Sequence, residues 1–495
     1  MRFHRLFFGP ILTVSVLGAW PCARAESIAI DFGQQTAASS PLIFGGCKPE
    51  PANPPAWARL EEAGVTLVRF GVALDQRLRA KNVTLEDYRA AMGHPGSIAD
   101  LNSRHWDWSE LDAAAALAKK HHMKLLLGLN YNLRWLAYGG DTHAPPRDWA
   151  VWEDIVKQLV RRFAGRVDFW EIWNEPNGAL YLKLPGSPYP EGKDGMLAAY
   201  LDICRHSLAA IRDSGVKVSV GGPALATFNS APFWDKFLSH PEVVAQFDFL
   251  SHHIYFHAPL PNRCYPPTIR ELESKHGQEP RPLFITEWNS HSGVDAKPHE
   301  LKNSPASVGW MGKTFVLFLQ WGVQGAAFYN LHEGGAPDDQ LGGAYKMVRG
   351  EPRLFRFMKV FHLLSKVLEL GDPAGPIRVC ASRVEGLADE LTLPPNFLDS
   401  LYAVGCVNAR NIPVAVVANP SAVERPAGLS FTGLPEGEYR VRGYIVRPDH
   451  TPDEATVPTP LFEKAISTRA GTLRADLTVG AHSVVGLRLE RLASP

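Results

Sequence analysis

Short apolar runs alternate with helical patterns along most of the chain, from Pro41 to about Ser365. Apolar runs bounded by turn residues are typical of buried strands, and apolar residues at helical spacing indicate the helices between them. Strands that alternate with helices predict a parallel sheet. The eight predicted strands are PLIFGG at 41, VTLVRFG at 65, MKLLLGLN at 123, VDFWEIW at 167, VKVSVGG at 216, FDFLSHHIY at 247, PLFITEW at 282 and GAAFYN at 325.

Eight strand–helix units predict an α/β fold, a (β/α)8 TIM barrel with long loops. The segment WSELDAAAALAKKHH is one of the predicted helices, with Ser109 as its N-cap and basic residues at its C-terminal end. Two further predicted helices close on Gly165 and Gly215. A doubly wound open sheet is the alternative that the same pattern allows.

The pattern changes after the break ELGDPAGP, Glu369 to Pro376. Beyond it, runs such as IPVAVVANP and GEYRVRGYIV are strand-like and are separated by turn residues, which predicts a C-terminal β-sandwich accessory domain. The predicted domains are residues 41–366 as the barrel and residues 367–495 as the sandwich, with residues 26–40 as an N-terminal strand that joins the sandwich.

The first residues predict an export signal, and the protein is therefore expected in the periplasm or outside the cell. Met1 to Arg5 carry positive charge, Leu6 to Trp20 are largely apolar, and Ala23 to Ala25 form a small-x-small cleavage site. The predicted signal peptide covers residues 1–25. A membrane anchor is the alternative, but the apolar run is short and Pro21 closes it, so no stable membrane insertion is expected after cleavage.

Composition argues against two classes of ligand. Lys+Arg and Asp+Glu both number 51, so the chain has no overall charge with which to grip nucleic acid. The cysteines are sparse and none has metal-ligand spacing, so no metal site and no cofactor are expected. Cys380 and Cys406 are a candidate disulfide pair that the sequence leaves open.

Two glutamates follow predicted strands at the end of the barrel where chemistry takes place. Glu175 ends the fourth strand in FWEIWNEPNG, and Glu287 ends the seventh in LFITEWNSH. Glu171 lies inside the fourth strand, so we expect it to point into the barrel lower down or to pair with an arginine. Pro176 keeps Glu175 out of helical geometry and turns the chain over the barrel mouth.

Paired carboxylates on facing strand ends are the apparatus of glycosidic bond cleavage. One carboxyl group protonates the leaving oxygen, and the other attacks the anomeric carbon or activates water. Beside these groups, Asn174 is a donor of the kind that binds a sugar hydroxyl, and Trp288 offers a face for a sugar ring.

The motifs WEIWNEPN and FITEWNS resemble the acid/base and nucleophile motifs of clan A retaining glycoside hydrolases, and the chain is most similar to glycoside hydrolase family 39. That family includes β-xylosidases, α-L-iduronidases and bacterial exopolysaccharide glycosidases. The resemblance implies a barrel with a packed β-sandwich, a carbohydrate substrate, Glu175 as acid/base and Glu287 as nucleophile. The positions that it implies for substrate binding are Asn174 at the sugar 2-hydroxyl, Arg69 near the nucleophile, and His253 and Tyr255 on the sixth strand.

Further candidates for the barrel mouth are Asn130 and Tyr131 at the end of the third strand, Trp135 as a sugar platform, and Tyr329 in place of a tryptophan common in the clan. Because His252 and His253 are adjacent, only one of them faces the barrel interior. Arg134 is available as the extra cation that a uronic acid would need.

The leading functional hypothesis is a retaining O-glycosidase that acts on an extracellular polysaccharide or exopolysaccharide. A β-xylosidase-like exo-enzyme and a transglycosidase are alternatives on the same site. The alternative of another class is a non-catalytic carbohydrate-binding protein.

Overall fold

A computed structural model describes residues 25–227, 230–256, 264–290, 304–332, 343–385, 400–449, 458–468 and 471–492. Nearly all of the predicted signal peptide lies outside the described residues. The described strands form a closed barrel, a nine-stranded sheet and a two-stranded hairpin.

The barrel contains eight parallel strands in chain order, and it closes where Gly45 of the first pairs with Ala327 of the last. Every one of the eight predicted strands is present, which confirms the TIM barrel and excludes the open sheet. The barrel strands are β2 (Gly45–Cys47), β3 (Leu67–Gly71), β4 (Lys124–Leu129), β5 (Phe169–Ile172), β6 (Ser219–Leu225), β7 (Phe249–Tyr255), β8 (Leu283–Asn289) and β9 (Gly325–Phe328).

Helices follow the barrel strands and cover their outer faces. The helix predicted to have Ser109 as N-cap starts one residue earlier than expected, with Trp108 as N-cap and Ser109 already helical, because Asp107 accepts hydrogen bonds from both the backbone and the hydroxyl of Ser109. The helices are α1 (Pro54–Glu62), α2 (Leu74–Arg77), α3 (Leu85–Ala91), α4 (Ser109–Lys120), α5 (Trp149–Arg162), α6 (Lys193–Asp213), α7 (Ser230–Leu238), α8 (Pro241–Val244), α9 (Pro266–Lys275), α10 (Ala306–Gln320) and α11 (Met358–His362).

The second unit is a single sheet of nine strands. Its N-terminal strand β1 (Glu26–Ser39) pairs antiparallel with β12 and parallel with β15. The order is β17-β16-β19-β14-β13-β12-β1-β15-β18. The remaining strands are the hairpin β10 (Tyr345–Val348) and β11 (Glu351–Leu354), then β12 (Ile377–Val384), β13 (Tyr402–Val407), β14 (Pro413–Ala418), β15 (Arg425–Thr432), β16 (Glu438–Val446), β17 (Thr459–Ser467), β18 (Leu473–Val479) and β19 (Val484–Arg491).

The nine-stranded sheet encloses one core. Apolar residues of β18 and β16, near opposite edges of the strand order, belong to the same buried cluster, so the sheet curls over one of its faces. Strands β15 and β16 alternate buried and partly exposed residues, whereas β13 and β14 are buried at nearly every position. The central strands are buried on both faces because helix α10 of the barrel packs against their outer side.

Helix α10 holds the sheet against the barrel through two glycines. Gly309 approaches the backbone of Asn419, and Gly312 approaches the side chain of Val484. Nearly every residue of this helix is buried, which fits a helix that is covered from both sides.

Cys380 and Cys406 do not form a disulfide. Cys406 lies opposite Val379 in the β12–β13 pair, and Cys380 is the next residue along. Neighbouring residues of a strand point to opposite faces, so the two thiols are on different sides of the sheet. Both are free, as are the other described cysteines. None of the described helices combines the length and the apolar character needed to cross a bilayer.

We expect Gly309→Ala to destabilise the protein by about 1–2 kcal/mol. The new methyl group would collide with the carbonyl oxygen of Asn419 and lie 2.8 Å from Cα of Pro420, and backbone atoms do not move aside as side chains do. The collision therefore costs more than the roughly 1 kcal/mol by which alanine stabilises a helix relative to glycine. The loss of stability is measured as the shift in the urea midpoint of unfolding between the wild type and Gly309→Ala.

Gly375→Ala is the control, since its methyl group would meet only Ala409, at ordinary distances of 3.5 Å from Cβ and 3.8 Å from Cα. Equal midpoints for Gly309→Ala and Gly375→Ala would show that the contact between α10 and the sheet is loosely packed.

Candidate active site

Glu175 reaches the barrel mouth through a turn at the end of β5. Trp173 and Glu175 both have left-handed backbone angles, with φ of 69° and 50°. Such angles are uncommon for residues other than glycine and cluster at functional sites. The backbone N–H of Glu175 donates to the carbonyl oxygen of Ala224 in β6 at 3.0 Å, which anchors the turn on the neighbouring strand. The carboxyl group is buried.

Glu287 lies on β8 among hydrogen-bond donors and positive groups. Nη1 of Arg69 donates to its Oε1 at 2.6 Å, and the hydroxyl of Tyr255 donates to its Oε2 at 2.9 Å. Burial by itself would raise the pKa of this carboxyl group, but the charges of His253, Arg69 and Lys48 outweigh burial and lower the pKa to about 2. Glu287 is therefore an anion at neutral pH.

The guanidinium group of Arg69 connects three side chains from two strands and a turn. Its Nε donates to Oε2 of Glu171 at 2.8 Å, and its Nη2 donates to Oδ1 of Asn174 at 2.9 Å. Its remaining amino group holds Glu287. Glu171 is fully buried and faces the barrel interior, so it takes the role of an arginine partner, the second of the two roles expected for it.

His253 lies between the two carboxyl groups. Its Nδ1 is 2.8 Å from Oε1 of Glu175 and 3.6 Å from Oε2 of Glu287. His252 faces the other way, toward Trp234 and the carbonyl oxygen of Cys264, as strand alternation requires. Burial lowers the pKa of His252 to about 3, which keeps that ring neutral.

One atom from each of Glu175, His253 and Glu287 lies within 4.8 Å of the other two, a spacing that a metal ion also accepts. A dication there would compete with Arg69, which already binds Glu287 at 2.6 Å. The adjacent guanidinium therefore favours carboxylate chemistry over metal binding at this cluster.

Two further predicted residues are near the cluster. The side chain of Asn130 lies in the barrel against Gly71 and Gly128, and its Oδ1 is buried without a hydrogen-bond partner among the described residues. Tyr329 follows β9, and its hydroxyl accepts a hydrogen bond from Nζ of Lys48 at 2.9 Å.

The prediction that Trp288 presents a face to a sugar ring is wrong. Because Glu287 faces the barrel interior, its neighbour Trp288 faces the helices. There the fully buried ring packs 5.1 Å from Phe318 and 5.2 Å from Phe328, measured between ring centroids.

Trp135 lies in the loop after β4 and is half-buried, and its role as a sugar platform stays a prediction. Its ring stacks on Tyr88 with centroids 5.1 Å apart and packs against the main apolar core. Within the described part of the chain, no contact joins it to Glu175 or Glu287, and its indole N–H has no hydrogen-bond partner.

The structure brings three further residues to the site, and the sequence prediction includes Tyr131 but not Tyr181 or Lys48. Tyr131 accepts a hydrogen bond from Nδ2 of Asn174 at 3.0 Å. Burial and the charge of Glu175 raise the pKa of Tyr181 to about 12, so its hydroxyl stays protonated beside that carboxyl group. Lys48 comes directly after β2. Its place at a strand end was the available signal, whereas Tyr181 is on a loop that sequence periodicity does not locate.

Fold and site together define a (β/α)8 barrel with paired carboxyl groups at the ends of its fourth and seventh strands, the arrangement of a clan A glycoside hydrolase. Residues 103–265 match the model of glycosyl hydrolases family 39. A β-xylosidase of Caldicellulosiruptor saccharolyticus is 24% identical over 196 residues, which cover 35% of this chain and 36% of the relative. The match thus spans about a third of that relative. These matches confirm the resemblance to family 39 and support a glycoside hydrolase.

Three solved structures share the fold over nearly the whole chain. A glucosidase from Croceicoccus marinus has a TM-score of 0.64 at 15% identity and covers 95% of this chain and 100% of its own. A monomeric β-xylosidase from Caulobacter crescentus has a TM-score of 0.62 at 17% identity, with the same coverage of 95% and 100%. A family 39 enzyme from Xanthomonas axonopodis pv. citri has a TM-score of 0.61 at 16% identity, with coverage of 96% and 100%.

We expect Glu171→Gln to lower the free energy of unfolding by about 3 kcal/mol, because it removes a buried charge that balances the Arg69 guanidinium. Glu110→Gln is the matched control: Glu110 also pairs with an arginine, at 2.6 Å, but its side chain is 56% exposed. Exposed pairs contribute at most about 1 kcal/mol. Urea unfolding curves measure both, and similar losses for the two variants would contradict a structural role for the Arg69–Glu171 pair.

Proposed function

We propose that the protein is a retaining glycoside hydrolase in which Glu287 is the nucleophile and Glu175 is the acid/base. The observation that carries this proposal is the short separation of the two carboxyl groups, whose oxygen atoms approach within 4.8 Å. Retaining enzymes keep the two groups about 5–5.5 Å apart, and inverting enzymes keep them roughly 6.5–9.5 Å apart to leave room for water.

In the first step, Glu287 attacks the anomeric carbon while Glu175 protonates the departing glycosidic oxygen. In the second step, Glu175 accepts a proton from water, and the water attacks the anomeric carbon of the glycosyl-enzyme and releases Glu287. The surroundings of Glu287 and Glu175 differ as the roles of nucleophile and acid/base require. Glu287 is held as an anion by Arg69 and Tyr255, whereas the partner of Glu175 is His253, whose ring nitrogen can donate to the carboxylate or accept from the acid.

Binding roles follow from the hydrogen bonds that remain open. Asn174 uses its oxygen on Arg69 and one N–H on Tyr131, so its second N–H is directed to a sugar hydroxyl. The unpaired Oδ1 of Asn130 is an acceptor for another hydroxyl. Unpaired buried polar atoms at a site are normally satisfied by the ligand.

The proposed substrate is an extracellular polysaccharide or exopolysaccharide, reached after export by the predicted signal peptide. The curated relative is a β-xylosidase, so an exo-acting, xylosidase-like enzyme is the second candidate. Transglycosylation would use the same glycosyl-enzyme with a sugar hydroxyl in place of water. A non-catalytic binding protein would have no need for an ionised nucleophile opposite an acid.

We expect Glu287→Gln to reduce turnover at least about 1,000-fold on any glycoside that the wild type cleaves, because the amide cannot form the glycosyl-enzyme. A 2-deoxy-2-fluoro glycoside of the accepted sugar should label the wild type once, and peptide mass spectrometry should place the label on Glu287. Glu110→Gln, a remote exposed glutamate, should keep wild-type turnover. A label on another residue, or normal turnover of Glu287→Gln, would refute the assignment.

We expect the rate of labelling by a 2-deoxy-2-fluoro glycosyl fluoride to be nearly constant from pH 7 down to about pH 4. Fluoride leaves without protonation, so the rate reports the anionic form of Glu287, whose pKa is lowered to about 2. A carboxylate with a lowered pKa stays charged above that value and loses its charge only as pH falls through it. The same pH profile is expected in Glu175→Gln. This result would show that titration of the acid/base does not determine the rate of labelling. A midpoint near pH 4.5 would show that Arg69 and Lys48 do not stabilise the anion.

A further inference from the structure

Lys48 places a cation at the rim of the barrel next to the nucleophile. It follows β2 with a left-handed φ of 49°, and its backbone N–H donates to the carbonyl oxygen of Arg69 at 2.9 Å. Its Nζ donates to the Tyr329 hydroxyl at 2.9 Å and lies 4.8 Å from the centroid of that ring. The side chain is exposed, and Glu287 is near enough to raise the pKa of its ammonium group.

The other positive charge of the site is already balanced. Arg69 is occupied by Glu171, Asn174 and Glu287. Lys48, by contrast, forms no salt bridge with any carboxylate of the described residues, and burial raises the pKa of its neighbour Tyr329, which keeps that hydroxyl neutral. An ammonium group has three N–H donors, and Tyr329 uses one. Burial lowers the pKa of Lys48, but Tyr329 and Glu287 raise it by more, so Lys48 stays charged at neutral pH.

An anionic sugar would need this charge. Without Lys48, a negative group on the bound sugar would meet Glu175, Glu287 and Glu171, while Arg69 already pairs with two of these three carboxylates. Lys48 and Glu287 are near enough for the charge of each to shift the pKa of the other, so the sugar whose anomeric carbon faces Glu287 is the one that lies beside Lys48. A lysine binds carboxylate, sulfate and phosphate groups alike as a point charge.

We propose that Lys48 and Tyr329 form a subsite for an anionic substituent, a uronic carboxylate or a sulfate ester, on the sugar that Glu287 attacks. This inference rests on the proposed function, and it narrows the substrate to acidic glycans. Arg134, the cation expected from the sequence, does not serve: it is 76% exposed and pairs with Asp75 at 3.0 Å.

The test is calorimetric binding of monosaccharides, which have no bond to hydrolyse. Each uronic acid of a panel is compared with its neutral parent hexose and with the 6-sulfated hexose, at low and at high salt. The variants are Lys48→Met, which keeps the length of the side chain without its charge, and Lys48→Arg, which keeps the charge. Lys183→Met is the matched control, because Lys183 is a lysine that Asp141 already pairs with at 2.8 Å.

We expect the wild type to bind at least one acidic sugar about tenfold or more tightly than its neutral parent, with the preference falling at high salt. Lys48→Met should lose the preference, whereas Lys48→Arg and Lys183→Met should keep it. Comparing the carboxylate and sulfate arms identifies the substituent. Equal affinity for acidic and neutral sugars throughout the panel, or an unchanged preference in Lys48→Met, would overturn the proposal.

Failure of the proposed function and failure of the anionic subsite give different experimental results. If Glu287 were not the nucleophile, the 2-fluoro label would fall elsewhere while the preference of Lys48 for acidic sugars could still be measured. If the protein were a hydrolase of neutral glycans, the label would be on Glu287 and the calorimetric preference would be absent.

Discussion

The buried guanidinium of Arg69 constrains the arrangement of the whole site. A charge in the barrel interior is costly unless its hydrogen bonds and its charge are both balanced, and here Glu171, Asn174 and Glu287 provide the partners. Because a guanidinium is planar and rigid, these three side chains have fixed positions relative to one another. Arg69 thereby fixes the position of the nucleophile, and together with His253 and Lys48 it keeps Glu287 an anion.

The rest of the structure keeps this arrangement rigid. The carboxyl groups are at the ends of strands whose outer faces are covered by helices, and the nine-stranded sheet packs against one of these helices, α10 (Ala306–Gln320). The turn from Trp173 to Glu175 departs from ordinary backbone geometry and is anchored on Ala224 of the neighbouring strand. A strained turn is tolerated where the surrounding structure determines it from several sides.

Sequence patterns located the eight strands because each is a buried apolar run between turn residues, and the carboxyl ends of parallel strands meet at one face. The same patterns misplaced Trp288. A tryptophan beside a catalytic residue reads equally well as a sugar platform or as core, and the difference depends on helices such as α10 that arrive later in the chain. That β1 (Glu26–Ser39) joins the C-terminal strands was expected, but the order of the nine strands was not, since β1 pairs with β12 and β15, over 300 residues away, and such pairing leaves no local signal.

The sequence by itself determined the barrel, the strand ends and the two glutamates, because period and burial are local properties of the chain. Only the tertiary structure decided which groups surround each glutamate. His253 lies between the carboxyl groups. Arg69 binds Glu287 as well as Glu171, and Lys48 adds a cation at the rim. Distances across a closed barrel depend on side chains from strands that are far apart in sequence, so the electrostatics of the site exist only once the barrel has closed.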